Sequence, residues 1–209
     1  MPNAHARPGG GDGPVGRLEV ICGPMFAGKT TALIAALERA RGAGETWRVW
    51  AFKPALDGRY HPTALASHAG GRFEGRAVEH AGEIEEAVLG GGGSAGGERD
   101  RPARAVVGID EAHFFGAALV GPVRALVDSG CRVVVAGLER DHRGEPFEPM
   151  PALLCEADAV TKLVAACARC GGEAVHTQRL VASGSRIVVG GAGMYEPRCR
   201  ACFRPGGAA

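Results

Sequence analysis

Two short stretches of this 209-residue chain carry residue types and spacings suited to phosphate chemistry. The first is "GPMFAGKT", which has the form G-x-x-x-x-G-K-T. Across Gly23, Pro24, Met25, Phe26, Ala27 and Gly28, glycine lets successive backbone N–H groups turn inward around a phosphate. Lys29 then sets a point charge against the β- and γ-phosphates, and the Thr30 hydroxyl is placed to ligate Mg²⁺. The second is "VVGIDEAHFF", residues 106 to 115, where an apolar run ends on two carboxylates. In a nucleotide-binding α/β domain such a strand end carries the acid that holds Mg²⁺ through water, here Asp110. Glu111 beside it is the natural candidate for a general base.

A third group lies near the C-terminus, where Cys167-Ala-Arg-Cys170 and Cys199-Arg-Ala-Cys202 form two C-x-x-C knuckles. Four thiolates can close a tetrahedral shell around one Zn²⁺ with no position left for substrate, so the expected site is structural. A redox role needs one exposed C-x-x-C at a helix start, which paired knuckles fit poorly. The N-terminal stretch lacks the apolar core of a secretory signal, which disfavours disulfides and makes a cytoplasmic location the default. Cys22, Cys131 and Cys155 sit in or beside apolar runs and are expected to be buried structural residues.

Periodicity supplies the elements that position these groups. "RLEVIC" (17 to 22) reads as a buried strand, "KTTALIAALERARGAG" (29 to 44) as a helix ended by glycine, and "WRVWAF" (47 to 52) as a second strand. A helix at 82 to 90, a strand at 103 to 110, a helix at 122 to 130 and a strand at 131 to 138 continue the alternation. That order predicts an α/β fold with a mostly parallel sheet flanked by helices, its ligands at the carboxyl ends of the strands. The expected division is a tail at 1–16, a P-loop domain at 17–155, a zinc subdomain at 156–204 and a tail at 205–209. Of the 34 glycines, many cluster in the first tail and at 90–104, which reads as a flexible connector inside the P-loop domain.

A net charge of +1 leaves no basic stripe for nucleic acid and no membrane-surface patch. Asp110-Glu111-Ala112-His113 spells the motif that names a group of helicases, but their cleft needs two nucleotide-binding-type domains, and 209 residues hold one plus an appendage.

"GPMFAGKT", "LDGRY" (56 to 60), "GIDEAHFF" (108 to 115), "GLERDHRGEPF" (137 to 147), "VHTQR" (175 to 179), "GAGMYEPRC" (191 to 199) and the paired knuckles follow one another in an order and spacing that resembles the zinc-containing type II thymidine kinases. The resemblance runs from about residue 17 to 204. It implies a RecA-like P-loop sheet with a zinc-ribbon-like subdomain carrying a lid loop at about 179 to 198. It also implies transfer of the γ-phosphoryl of ATP to thymidine, a homotetramer, and feedback inhibition by dTTP. In this resemblance Glu111 matches the catalytic base, Arg59 a positively charged loop residue, and His113 a position among the ATP and Mg²⁺ residues. Met25, Phe114, Leu138, Phe147, Thr177, Val188 and Tyr195 match positions around the thymine or the lid, and His142 stands where an aromatic ring is usual. His113 replaces glutamine; Glu139, Gly193 and Met194 also depart from the family's habit. Two alternatives stand beside this reading: a zinc-bearing nucleotide-binding protein with weak or lost catalysis, and another P-loop ATPase using Asp110 and Glu111.

Overall fold

The computed structural model describes residues 15–42, 47–56, 64–66, 70–90 and 105–206. Arg59, the connector from residue 91 to 104, and most of the expected N-terminal tail lie outside them. In chain order the elements are β1 (Arg17–Cys22), α1 (Lys29–Gly42), β2 (Arg48–Pro54), β3 (Ala64–Ala66), β4 (Arg72–Glu74), β5 (Arg76–Val78) and α2 (Gly82–Leu89). Then come β6 (Ala105–Ile109), α3 (Val120–Asp128), β7 (Arg132–Gly137), α4 (Met150–Glu156) and β8 (Ala159–Lys162). Four short strands finish the chain: β9 (Ala165–Ala166), β10 (Glu173–Ala174), β11 (His176–Arg179) and β12 (Tyr195–Arg198).

Six strands form one all-parallel sheet in the order β5-β2-β6-β7-β1-β8. Alternation along each strand divides the core. Leu18, Val20 and Cys22 of β1, Val107 and Ile109 of β6, and Val133 and Val135 of β7 face α2, α3 and α4. Ile21, Val106, Val134 and Ala136 face α1, meeting Leu33 and Leu37. Burying each such leucine is worth about 1.5–3 kcal/mol. Gly108 makes the close approach of α1 possible, since a Cβ there would lie 2.7 Å from a Leu37 methyl. The sheet is thus buried on both faces, as parallel sheets are.

The helices and strands expected from periodicity are present, with shifted ends. α3 begins at Val120, with Pro122 tolerated inside its first turn, where no intrahelical N–H is lost. β2 runs on to Pro54, which carries Lys53 to the carboxyl end of the sheet. β8 pairs with β1 and extends the sheet past residue 155, because β1 would otherwise leave an unpaired edge. Periodicity gave no sign of β8, whose residues are mostly exposed. Among the described residues no helix is long and apolar enough to cross a membrane.

Candidate active site

The loop from β1 to α1 turns at Gly23, where φ is 140° and a Cβ would lie 2.4 Å from the Leu163 carbonyl oxygen. Only glycine meets both conditions. Gly28 takes φ 84° freely, but Phe26 takes φ 65°, a strained conformation for a residue with a side chain, so the turn depends on outside contacts to persist. Those contacts come from far along the chain. Gly23 N–H donates to Glu139 Oε2 at 2.8 Å, and Met25 N–H donates to Thr177 Oγ1 at 3.0 Å. Lys162 Nζ lies 3.2 Å from the other Glu139 oxygen and compensates its buried charge.

Lys29 opens α1, and its Nζ folds back to donate to the Pro24 carbonyl at 2.7 Å. Burial pulls its pKa down, against the opposing charges of Glu111 and Asp110. The Thr30 hydroxyl donates to Asp110 Oδ2 at 2.9 Å, and Glu111 N–H donates to Oδ1 at 3.0 Å. Asp110 itself is fixed by its backbone N–H, which donates to the Phe52 carbonyl of β2 at 2.9 Å. Burial, then the Glu111 charge, push the Asp110 carboxyl up to about 7. A divalent cation against Asp110 and Thr30 would reverse that shift, so these two oxygen ligands fit the hard cation a phosphoryl-transfer site needs. Glu111 adopts a left-handed conformation, φ 49°, which ends the strand direction and starts a 3-10 turn over Ala112–Phe114.

One cavity of about 270 Å³ joins this phosphate cradle to a second, largely apolar half. Met25, Phe26, Gly28, Lys29, Thr30, Asp110, Glu111 and His113 line the cradle side. Phe114, Leu138, His142, Phe147, Thr177, Val188 and Tyr195 line the rest, together with Met25 at the join. Gly23, Pro24 and Ala27 shape the loop without lining the cavity.

The apolar half is roofed by the segment between β11 and β12, which pair antiparallel as its stem. Arg179 donates from Nη1 to the Ser185 carbonyl at 2.6 Å and from Nη2 to the Arg186 carbonyl at 2.7 Å. Arg186 Nε donates to Asp141 Oδ2 at 2.7 Å, Nη2 donates to the Pro146 carbonyl at 2.7 Å, and the guanidinium covers the Phe147 ring. Tyr195 adds a hydroxyl bond to the Val188 carbonyl at 2.7 Å. Burial alone would raise Asp141, but hydrogen bonds from Arg186, Arg143 N–H and Glu145 N–H outweigh it and hold the carboxyl low. His142 is held neutral, first by burial and then by the Arg179 charge, which together lower its pKa.

The four knuckle cysteines converge, each offering a sulfur within 4.8 Å of the others. Cys170 Sγ and Cys199 Sγ are 3.6 Å apart. Backbone N–H groups, Cys199's foremost, pull the Cys167 thiol down to about 6. The neighbouring Cys199 and Cys170 sulfurs push Cys202 up to about 12. Four sulfurs so close cannot all ionise unaided; a soft dication would let them, so the donor set fits a closed tetrahedral site. Cys22 and Cys131 are buried as expected, whereas Cys155 is exposed. It lies in the last turn of the short helix α4 on its exposed side, so the apolar run before it did not bury it.

Lys53, Asp141, Arg179 and Arg186 also line the cavity, and the residue patterns did not single them out. For Lys53 a signal existed: a lysine closing the apolar strand run "WAFKP". Asp141 and Arg186 meet across 45 residues, and no local pattern records that.

The thymidine kinase family model matches residues 16–203. A thymidine kinase of Rhodothermus sp. (strain ITI 518) is 46% identical over 193 residues, covering 92% of this chain and 84% of the relative. One from Deinococcus deserti is 44% identical over 191 residues, covering 88% and 93%. One from Bdellovibrio bacteriovorus is 40% identical over 190 residues, covering 91% and 86%.

Proposed function

Because the chain belongs to the thymidine kinase family, we propose that it transfers the γ-phosphoryl of ATP to the 5′-hydroxyl of thymidine, giving dTMP and ADP. Deoxyuridine is the second substrate, and the product feeds DNA synthesis by salvage. The observation that carries this reading is the shared cavity, which the phosphate cradle with Asp110 and Glu111 lines together with Phe114, Phe147, Val188 and Tyr195.

The loop from Gly23 to Gly28, braced by the Gly23 and Met25 N–H bonds to Glu139 and Thr177, brings the N-terminus of α1 to the phosphates, and Lys29 neutralises the β- and γ-oxygens. Asp110 and Thr30 hold Mg²⁺, which when bound draws charge off the transferred group. Glu111 accepts the 5′-hydroxyl proton, being a partly buried carboxylate that lines the shared cavity beside Asp110. Lys53, which lines the cavity, and Arg59, by the resemblance, add positive charge for the transferred group. The thymine sits among Met25, Phe114, Leu138, Phe147, Thr177 and Tyr195, with His142 as a neutral wall. Arg179, Arg186 and Tyr195 hold the lid closed, which excludes water and so favours transfer over ATP hydrolysis. Cys167, Cys170, Cys199 and Cys202 hold one structural Zn²⁺ that ties down both ends of the lid stem. A P-loop domain over 17–155 and a zinc subdomain over 156–204, a cytoplasmic homotetramer and inhibition by dTTP complete the proposal.

The test is γ-labelled ATP against a panel of nucleosides, with single-stranded DNA as a control. Label on the 5′ position of thymidine and deoxyuridine supports the function. ATP hydrolysis stimulated by single-stranded DNA, with no labelled nucleotide, would replace it with a different P-loop ATPase.

A further inference from the structure

His113 is packed between Phe114 and Phe147, with ring centroids 4.4 and 5.0 Å away, and its side chain is 3% exposed. The Leu138 N–H, at the carboxyl end of β7, points at its Nδ1 from 3.3 Å. A backbone amide can only donate, so Nδ1 must present its lone pair and the ring proton must sit on Nε2. That nitrogen faces Glu111 Oε2 at 3.6 Å. The gap closes with a small rotation of the carboxylate, as contacts in substrate-free sites commonly do on binding.

We propose that His113 is the positioning residue of Glu111: anchored to β7 through Nδ1, it donates from Nε2 and keeps the other carboxylate oxygen turned toward the substrate hydroxyl. The proposal rests on the reading of Glu111 as the base. Glu111's backbone leaves the strand in a left-handed turn, so its carboxylate is aimed from a turn and not from the sheet. The chemistry also excludes a relay. Nε2 already carries a proton and Nδ1 is occupied by Leu138, so the proton taken from the 5′-hydroxyl stays on Glu111 until it leaves to solvent. A glutamine amide offers the same pair of groups, its oxygen for Leu138 N–H and its N–H for Glu111. A leucine of similar bulk offers neither.

The test joins kinetics to a direct view of the ring. His113→Leu should lower kcat by about 10- to 100-fold while thymidine Kd, read without turnover, moves less than about threefold. His113→Gln should restore most of that loss. In a Glu111→Gln background, His113→Leu should add less than about twofold. Because leucine could disturb packing, ¹⁵N-histidine NMR on the wild-type protein stands independently: at neutral pH, Nδ1 should resonate as an unprotonated and Nε2 as a protonated ring nitrogen. Full kcat in His113→Leu, a glutamine variant as slow as leucine, an undiminished effect in the Glu111→Gln background, or the opposite tautomer would each overturn the proposal. A near-normal Glu111→Gln enzyme would instead remove the base assignment, leaving the tautomer result to stand on its own.

Discussion

The two halves of the cavity are built in different ways. The phosphate half takes Gly23 to Thr30 from one continuous loop and helix start and Asp110 and Glu111 from one strand end. The nucleoside half draws single side chains from α3's approach, the β7 loop, β11, the lid and β12, and ion pairs fasten them. The cradle is set by glycine geometry and the sheet, with Glu139 and Thr177 bracing the loop from outside, and its groups touch the phosphates, so substitutions of those groups should act on the rate. A latched half depends on how well distant segments are held, so substitutions there should act on affinity.

Metal removal should have the largest effect, because it attacks the segment that holds the whole latched half. Protein purified under reducing conditions should carry one zinc per chain, and chelation or Cys199→Ser should abolish transfer and unfold the C-terminal segment. Elemental analysis with limited proteolysis checks this; a zinc-free, active enzyme would break the distinction between the halves. A smaller effect is expected from the latch. Arg186→Gln removes the bond to Asp141 and should weaken thymidine binding by about fivefold with little change in kcat, an estimate discounted for the exposure of Arg186. ATP affinity should not move. A loss confined to kcat would place Arg186 on the phosphate side.

The smallest effect belongs to His142. Phenylalanine there buries more apolar surface and should tighten thymidine binding by about threefold. The sign of the pH response separates His142 from the latch. His142's pKa is lowered on folding, so the neutral wall costs nothing above its ordinary value of 6.5 and destabilises increasingly as pH falls below it. Asp141's pKa is also lowered, but its stabilisation is present above the ordinary 3.8 and is lost only as pH falls through the still lower folded value. Thymidine Kd, measured without nucleotide but with Mg²⁺ so that the raised Asp110 stays ionised, should be flat from pH 8 to 6.5 and weaken only as pH falls through the lowered His142 value. The latch should stay intact throughout. His142→Phe should lose the acid-side weakening; identical profiles in both proteins would make His142 a bystander.

The same contrast explains what the residues alone revealed. The P-loop, the Asp110-Glu111 pair and the cysteine knuckles are local patterns whose chemistry depends on spacing along the chain. The alternating core residues of β1, β6 and β7 likewise encode their two-sided burial. Pairings such as Glu139 with Gly23, Thr177 with Met25 and Asp141 with Arg186 arise only after folding. They carry no periodic signature. β8 was missed for a related reason, since an exposed edge strand needs no apolar alternation once β1 supplies its hydrogen bonds.

The most direct test of the division is Glu111→Gln, which removes the proton acceptor beside Asp110 and leaves both halves standing. With ATP, Mg²⁺ and thymidine bound, single-turnover transfer should slow by about 10²- to 10⁴-fold, while Kd for ATP and for thymidine stay at wild-type values. A near wild-type transfer rate, or the loss of thymidine binding in place of rate, would contradict the account.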